Sequence, residues 1–168
     1  MARTIILVRH GKAEKAALGT EDIDRSLVEG AAAALAPTYR NAFALLGGVH
    51  QARLWVSPAL RAKQTAAVVS PALVGNGVGI AESRELACLL HQDQGALLDE
   101  LAATPEDACV VAVGHIPFME DMLARLCGSA IDFAPGSVAA VELEGDPHAG
   151  AASASGRLLW FVRGPKLA

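Results

Sequence analysis

Aromatic side chains make up only 4% of the 168 residues, and no stretch interleaves them with basic ones. A stacking platform for single-stranded nucleic acid is therefore not expected. Charge is also thin, with 19% Asp, Glu, Lys and Arg and a formal net charge of -4. Such a chain does not draw a polyanion through its overall field, so any anion it binds must be held by local cations. Cysteine is limited to Cys88, Cys109 and Cys127, with no CxxC pair. That pattern excludes a disulfide scaffold and predicts three core thiols in a reducing compartment. No apolar run approaches the roughly 18 residues of a membrane span. Met1-Ala2-Arg3 leads straight into a short strand-like run, without the apolar core of a signal peptide. The expectation is a soluble, cytoplasmic protein with neither a membrane nor a nucleic-acid partner.

Apolar residues are abundant, at 52%. In a chain of this length they suffice for one domain, residues 1–168, that buries roughly 70% of the surface its unfolded form exposes. Apolar runs bounded by turn residues occur at Thr4–Val8, Leu54–Val56, Val110–Val113, Val138–Leu143 and Leu158–Val162. Runs this short and rich in Val, Ile and Leu predict strands. Ala- and Leu-rich stretches between the first three predict helices. The alternation predicts an α/β fold, a three-layer α/β/α sandwich around a mostly parallel sheet. GDPHAGAASASG, Gly145–Gly156, predicts a flexible hairpin loop joining an antiparallel C-terminal strand pair.

Several helix ends are written locally. Ser57-Pro58 before ALRAKQTAAVV predicts a capping hydroxyl followed by proline at the first helical position. Pro117 before FMEDMLARLC and Gly128 after it predict both ends of another helix. Gly95–Ala103 predicts a further one. Ser26–Glu29 has the form of a capping box, and Pro37, costing about 3 kcal/mol inside a helix, predicts that the helix after it is kinked or split.

Arg9, His10, Arg61 and His115 stand at the C-terminal ends of predicted strands or just inside the following helices. In an open α/β sheet those ends border the ligand crevice, so residues distant in sequence can converge there. Arg9 closes a greasy strand, and its guanidinium, always charged, must find an anion or water. Arg61, near a helix start where the macrodipole is positive, gains from an anion too. A dianionic phosphoryl group suits both, gripped by two guanidinium forks and by backbone N–H groups of the helix beginning at Pro117. A neutral imidazole beside it can attack phosphorus in line. A metal centre fits poorly, because arginines repel a cation and carboxylates are few near either histidine.

LVRHG (Leu7–Gly11), VSPALRAKQTA (Val56–Ala66) and VVAVGH (Val110–His115) follow the order seen in the histidine phosphatase superfamily, with its phosphoglycerate mutase-like fold. The resemblance runs from Thr4 to about Leu143. Within the superfamily, RHGKAE, Asp24-Arg25-Ser26-Leu27 and GHIPFMEDMLARLCG resemble the small SixA phosphohistidine phosphatase branch. The resemblance implies that His10 is a nucleophile that becomes phosphohistidine, that Arg9 and Arg61 clamp the phosphoryl group and that His115 hydrogen-bonds it, with no metal or other cofactor. Gly11 and Ile116 are expected beside the substrate. Glu85 matches the position of an acidic proton donor in other branches, with Glu82 nearby. The stretch from the QT block to the VGH strand leaves no room for a sizeable cap, so a phosphorylated side chain of a partner protein could enter. Phosphohistidine hydrolysis, small-phosphoester hydrolysis and phosphate binding without turnover remain three readings of the same residues.

Overall fold

The computed structural model describes residues 1–149 and 156–167. Gly150–Ser155, most of the predicted hairpin loop, lie outside the described residues. Six strands form one sheet: β1 (Ala2–Arg9), β2 (Gln51–Val56), β3 (Gly79–Glu85), β4 (Cys109–Gly114), β5 (Val138–Glu144) and β6 (Gly156–Val162). Their spatial order is β3-β2-β4-β1-β5-β6. β1, β2, β3 and β4 are mutually parallel, and β5 and β6 run antiparallel to β1 and to each other. Five helices cover the sheet: α1 (Ala31–Phe43), α2 (Leu60–Gly75), α3 (Ala87–His91), α4 (Gln94–Ala102) and α5 (Phe118–Cys127).

β1 is central because its residues are apolar on both faces. Ile6 and Val8 pack with Leu35, Tyr39 and Phe43 of α1 and with Val69 and Leu73 of α2. Ile5 and Leu7 point the other way, to Leu97, Leu98 and Leu101 of α4 and to Phe118, Met119, Met122 and Leu126 of α5. Side chains alternate across a strand, so one continuous apolar run builds two separate cores. Each fully buried aliphatic side chain contributes about 2 kcal/mol.

β3 escaped the sequence reading. Its GIAESRE has a mostly exposed pattern and lies at the sheet edge, so it carries little of the apolar signal that marks the inner strands. Glu82 there accepts a hydrogen bond from Trp55 Nε1 at 3.0 Å and sits 3.5 Å from both Arg53 and Arg84.

Three helix predictions need correction. α1 runs unbroken through Pro37, because its buried face of Leu35, Tyr39, Ala42 and Phe43 anchors both halves. The capping box at Ser26–Glu29 does not start a helix. Leu27 instead bridges Ala13, Ser26 accepts the Glu14 N–H at 2.8 Å, and Gly30, at φ 83°, caps α1. Ser57 and Pro58 precede α2 by a turn, which begins at Leu60 after Ala59. α5 ends as predicted, with Pro117 at its N-cap and left-handed Gly128 at its C-cap. α4 matches the predicted Gly95–Ala103 to within a residue, capped by the Asp93 carboxylate on Ala96 N–H at 3.1 Å. Among the described residues no helix is long and apolar enough to cross a membrane. Cys109 is buried, Cys88 and Cys127 are half-buried, and all three are free thiols.

Candidate active site

β1, β2 and β4 end side by side, and their ends carry Arg9 with His10, Ser57, and His115. His10 N–H bonds the Gly114 carbonyl at 2.9 Å and Ser57 N–H the Val113 carbonyl at 3.0 Å, which stitches the strand exits together. α2 brings Arg61. The resulting cavity, about 410 Å³, is lined by Arg9, His10, Lys12, Ala13, Asp22, Arg25 and Arg61, together with Leu90, Gln92, His115, Ile116 and Pro135. Four cations face one carboxylate on this wall, although the chain as a whole is acidic. Such a local excess concentrates anions.

His10 is held in one tautomer. Its Nδ1 lies 2.6 Å from the Gly11 carbonyl, which can only accept, so Nδ1 carries the proton and Nε2 the lone pair. Arg61 Nε donates to that lone pair across a long 3.3 Å. Burial, more than the neighbouring charges of His115, Arg61 and Arg9, lowers the His10 pKa to about 3, against the Gly11 bond that raises it. The imidazole is therefore neutral and nucleophilic at ordinary pH.

His115 is 5% exposed and its ring lies 5.2 Å from that of His10. Ser57 Oγ is 2.7 Å from His115 Nε2 and already accepts the Ala59 N–H at 3.3 Å. The fully buried hydroxyl needs an acceptor for its own proton, and Nε2 supplies it. His115 is then left with a proton on Nδ1 to donate. Burial first, then the charges of Arg61, Arg25 and Arg9, lower its pKa to about 4, with Asp22 opposing.

The two arginines are fixed differently. Arg61 Nη1 donates to the Asp22 carbonyl at 2.8 Å, and Nη2 lies 3.2 Å from the Asp22 carboxylate. Arg25 Nε donates to the other carboxylate oxygen at 2.9 Å. That bond to Arg25, with the Arg61 guanidinium, holds the Asp22 carboxyl below its usual range. Arg9 Nη1 donates to the Phe133 carbonyl at 2.7 Å, and the Phe133 N–H in turn donates to Glu120 at 2.8 Å. Arg9 Nε is buried with no partner among the described residues. Burial lowers the Arg9 pKa, against the pull of Glu120. A buried donor left unfilled beside an open cavity is a seat for an anion oxygen.

Arg9, His10, Arg61, His115 and Ile116 thus meet as the sequence suggests. Gly11 anchors the site from behind: its N–H bonds Thr65 Oγ1 at 3.0 Å, and a Cβ there would stand 2.8 Å from Leu35 Cδ1. The close contact a side chain would make here is with the end of Leu35 in the α1 core. Glu85 does not reach the cavity wall. It is 54% exposed and pairs with Lys63 at 3.2 Å on an adjoining surface. Two N–H groups opening α5 are taken, Phe118 by Gln92 Oε1 at 3.2 Å and Met119 by the His115 carbonyl at 3.0 Å. Those two are not free for a phosphate. Asp22, Arg25 and Gln92 were missed because each sits in a loop whose local pattern carries no chemistry. The reach of the Ser57 hydroxyl to His115 was read only as a helix cap. Among the described residues no three His, Cys, Asp or Glu side chains gather as a metal site.

Buried neutral histidines make stability pH-dependent. Both side chains have an ordinary pKa of 6.5, falling to about 3 and about 4 in the fold. The unfolded chain therefore binds more protons below 6.5, and folding stability should fall as pH drops from there toward 4. Each histidine adds a slope of at most about 1.4 kcal/mol per pH unit. Urea midpoints measured from pH 7 to pH 4 should decline, and His115→Gln should flatten that decline. An equally steep decline in the variant would rule the account out.

No protein-family model and no curated protein matches the chain by sequence. Solved structures do match its fold. The SixA protein histidine phosphatase complexed with tungstate is 23% identical, with a TM-score of 0.74 over 95% of this chain and 96% of that one. A SixA phosphohistidine phosphatase candidate from Agrobacterium tumefaciens is 26% identical, with a TM-score of 0.73 over 95% of this chain and 96% of that one. A third, from Nakamurella multipartitia and likewise a SixA candidate, is 26% identical, with a TM-score of 0.74 over 99% and 98%. The fold places the chain in the histidine phosphatase superfamily, the group with phosphoglycerate mutase-like architecture. Within that superfamily it resembles the small SixA branch.

Proposed function

We propose that the chain is a metal-independent phosphatase that hydrolyses phosphohistidine on a partner protein through a phospho-His10 intermediate. One observation carries the choice of substrate. The cavity pairs a neutral nucleophile and three guanidinium groups with a single carboxylate, Asp22, which Arg25 and Arg61 keep ionised. An ester needs a proton donor for its alkoxide, help worth roughly 10² to 10⁴-fold. The imidazole ring leaves as a weaker base than an alkoxide and takes its proton from solvent, on the nitrogen that the N–P bond releases, without such a donor.

The incoming phosphoryl group takes up the donors of Arg61 and the unfilled Nε of Arg9, and His115 Nδ1–H adds another. His10 Nε2 attacks phosphorus, the substrate N–P bond breaks, and its electron pair returns to the leaving imidazole. Water then attacks phospho-His10, the Nε2–P bond breaks, and inorganic phosphate leaves. The transferred group stays clamped throughout, and charge stabilisation of its equatorial oxygens supplies most of the catalysis.

The test is kcat/KM for a phosphohistidine-bearing protein beside a small phosphoester, both with EDTA. The expected result is a preference for phosphohistidine of at least roughly 10²-fold, unchanged by chelator and by Glu85→Gln. Faster hydrolysis of the ester, with a loss in Glu85→Gln, would favour a small-phosphoester phosphatase instead. Binding of phosphate with no turnover of either substrate would leave a sensor.

A further inference from the structure

Gln92 is the one residue other than glycine with a positive φ among those described, at φ 57° and ψ 43°. With Asp93 it forms the two-residue joint between α3 and α4, and glycine would take its backbone conformation without strain. Its side chain does two things a glycine cannot. Oε1 accepts the Phe118 N–H at the start of α5, and the residue forms part of the catalytic cavity wall. An amide whose oxygen is engaged presents its NH₂ group. Leu90 and Ile116, both half-buried, line the cavity with it.

We infer that Gln92 is a specificity-determining residue that donates from Nε2 to the leaving group, with Leu90 and Ile116 forming the apolar surface against which a flat ring rests. The inference rests on the phosphatase reading above and deepens it. A phosphorylated imidazole has one further ring nitrogen with a lone pair. As the N–P bond breaks, electron density moves into the ring, and a hydrogen bond to that second nitrogen strengthens as it does. Leu90 and Ile116 supply aliphatic surface to the same cavity lining as Gln92. The donor is held in place by the Phe118 bond, so little is lost in ordering it when substrate arrives.

Two substrates separate a leaving-group contact from a structural cap. 3-Phosphohistidine carries the second ring nitrogen, whereas phosphoramidate releases ammonia and has no acceptor to offer. Gln92→Glu keeps an oxygen for the Phe118 N–H but removes the donor, and Gln92→Met removes both. The added charge of the glutamate repels both substrate anions alike. In each variant the ratio of kcat/KM for phosphohistidine to that for phosphoramidate should fall roughly 5- to 30-fold, the effect of losing one hydrogen bond. An unchanged ratio in both variants, or a fall in Gln92→Met alone, would overturn the inference and leave Gln92 as a cap of α5. A wild-type protein that hydrolyses neither substrate would overturn the phosphatase reading, and this inference with it.

Discussion

His10→Ala is expected to lower turnover by roughly 10⁴-fold or more, the scale on which removal of a covalent nucleophile acts. The effect is expected to be this large because no other side chain on the cavity wall combines a free lone pair with burial. His115 has its Nε2 committed to Ser57 at 2.7 Å, and the Asp22 carboxylate is bound by two arginines. During turnover of the wild type, quenching should trap an acid-labile, base-stable phosphoenzyme, since an N–P bond has that stability profile. The variant should trap none. Full activity in His10→Ala, or a phosphoenzyme that survives acid, would end the covalent account.

Arg61→Ala is expected to be next in severity, with kcat/KM falling roughly 10³-fold, the lower end of what an arginine contributes to phosphoryl transfer. Arg61 is 6% exposed and reaches His10, the cavity and Asp22 with one planar group, a geometry that lysine cannot reproduce. Its loss also has a signature on the pH axis. Arg61 is one of the charges that lower the pKa values of His10 and His115. Removing the cation raises both, so a larger fraction of His10 is protonated and inert on the acid side. The acidic limb of kcat/KM should therefore move to higher pH than in the wild type, measured on one substrate so that its own titration cancels. A limb that stays in place would mean that burial alone sets the state of His10, and a loss below 10-fold would remove Arg61 from the phosphoryl clamp.

The parts of the site legible in sequence are those that sit next to a strong local pattern. Arg9 and His10 follow four apolar residues, Ile5–Val8, and His115 follows a Val-rich run, so their places at strand ends could be read from the strands themselves. Glu85 was suggested only by the superfamily resemblance, because its own strand carries little apolar signal. β3 lies at the sheet edge, separated from β1 by β2 and β4, and there the Glu85 carboxylate pairs with Lys63. The order of strands in space, which a chain read end to end does not display, separates these cases. Asp22 and Arg25 were hidden for a related reason. Their segment reads as loop, and they matter because the Ala13–Leu27 bridge and the Gln64 bond to Leu27 N–H at 2.7 Å fold that loop over α2.

What the sequence determined by itself was the alternation of elements, the two-faced central strand and the four residues at the cavity's centre. Apolar periodicity and turn chemistry act over a few residues, and each position advertises them locally. Only the tertiary structure decided the His115 proton through Ser57, the burial that keeps His10 neutral, the bond of the Phe118 N–H to Gln92, and the pairing of Glu85 with Lys63. Each of these depends on side chains from segments far apart in the chain meeting at hydrogen-bond distance, and that distance is set by how the layers pack.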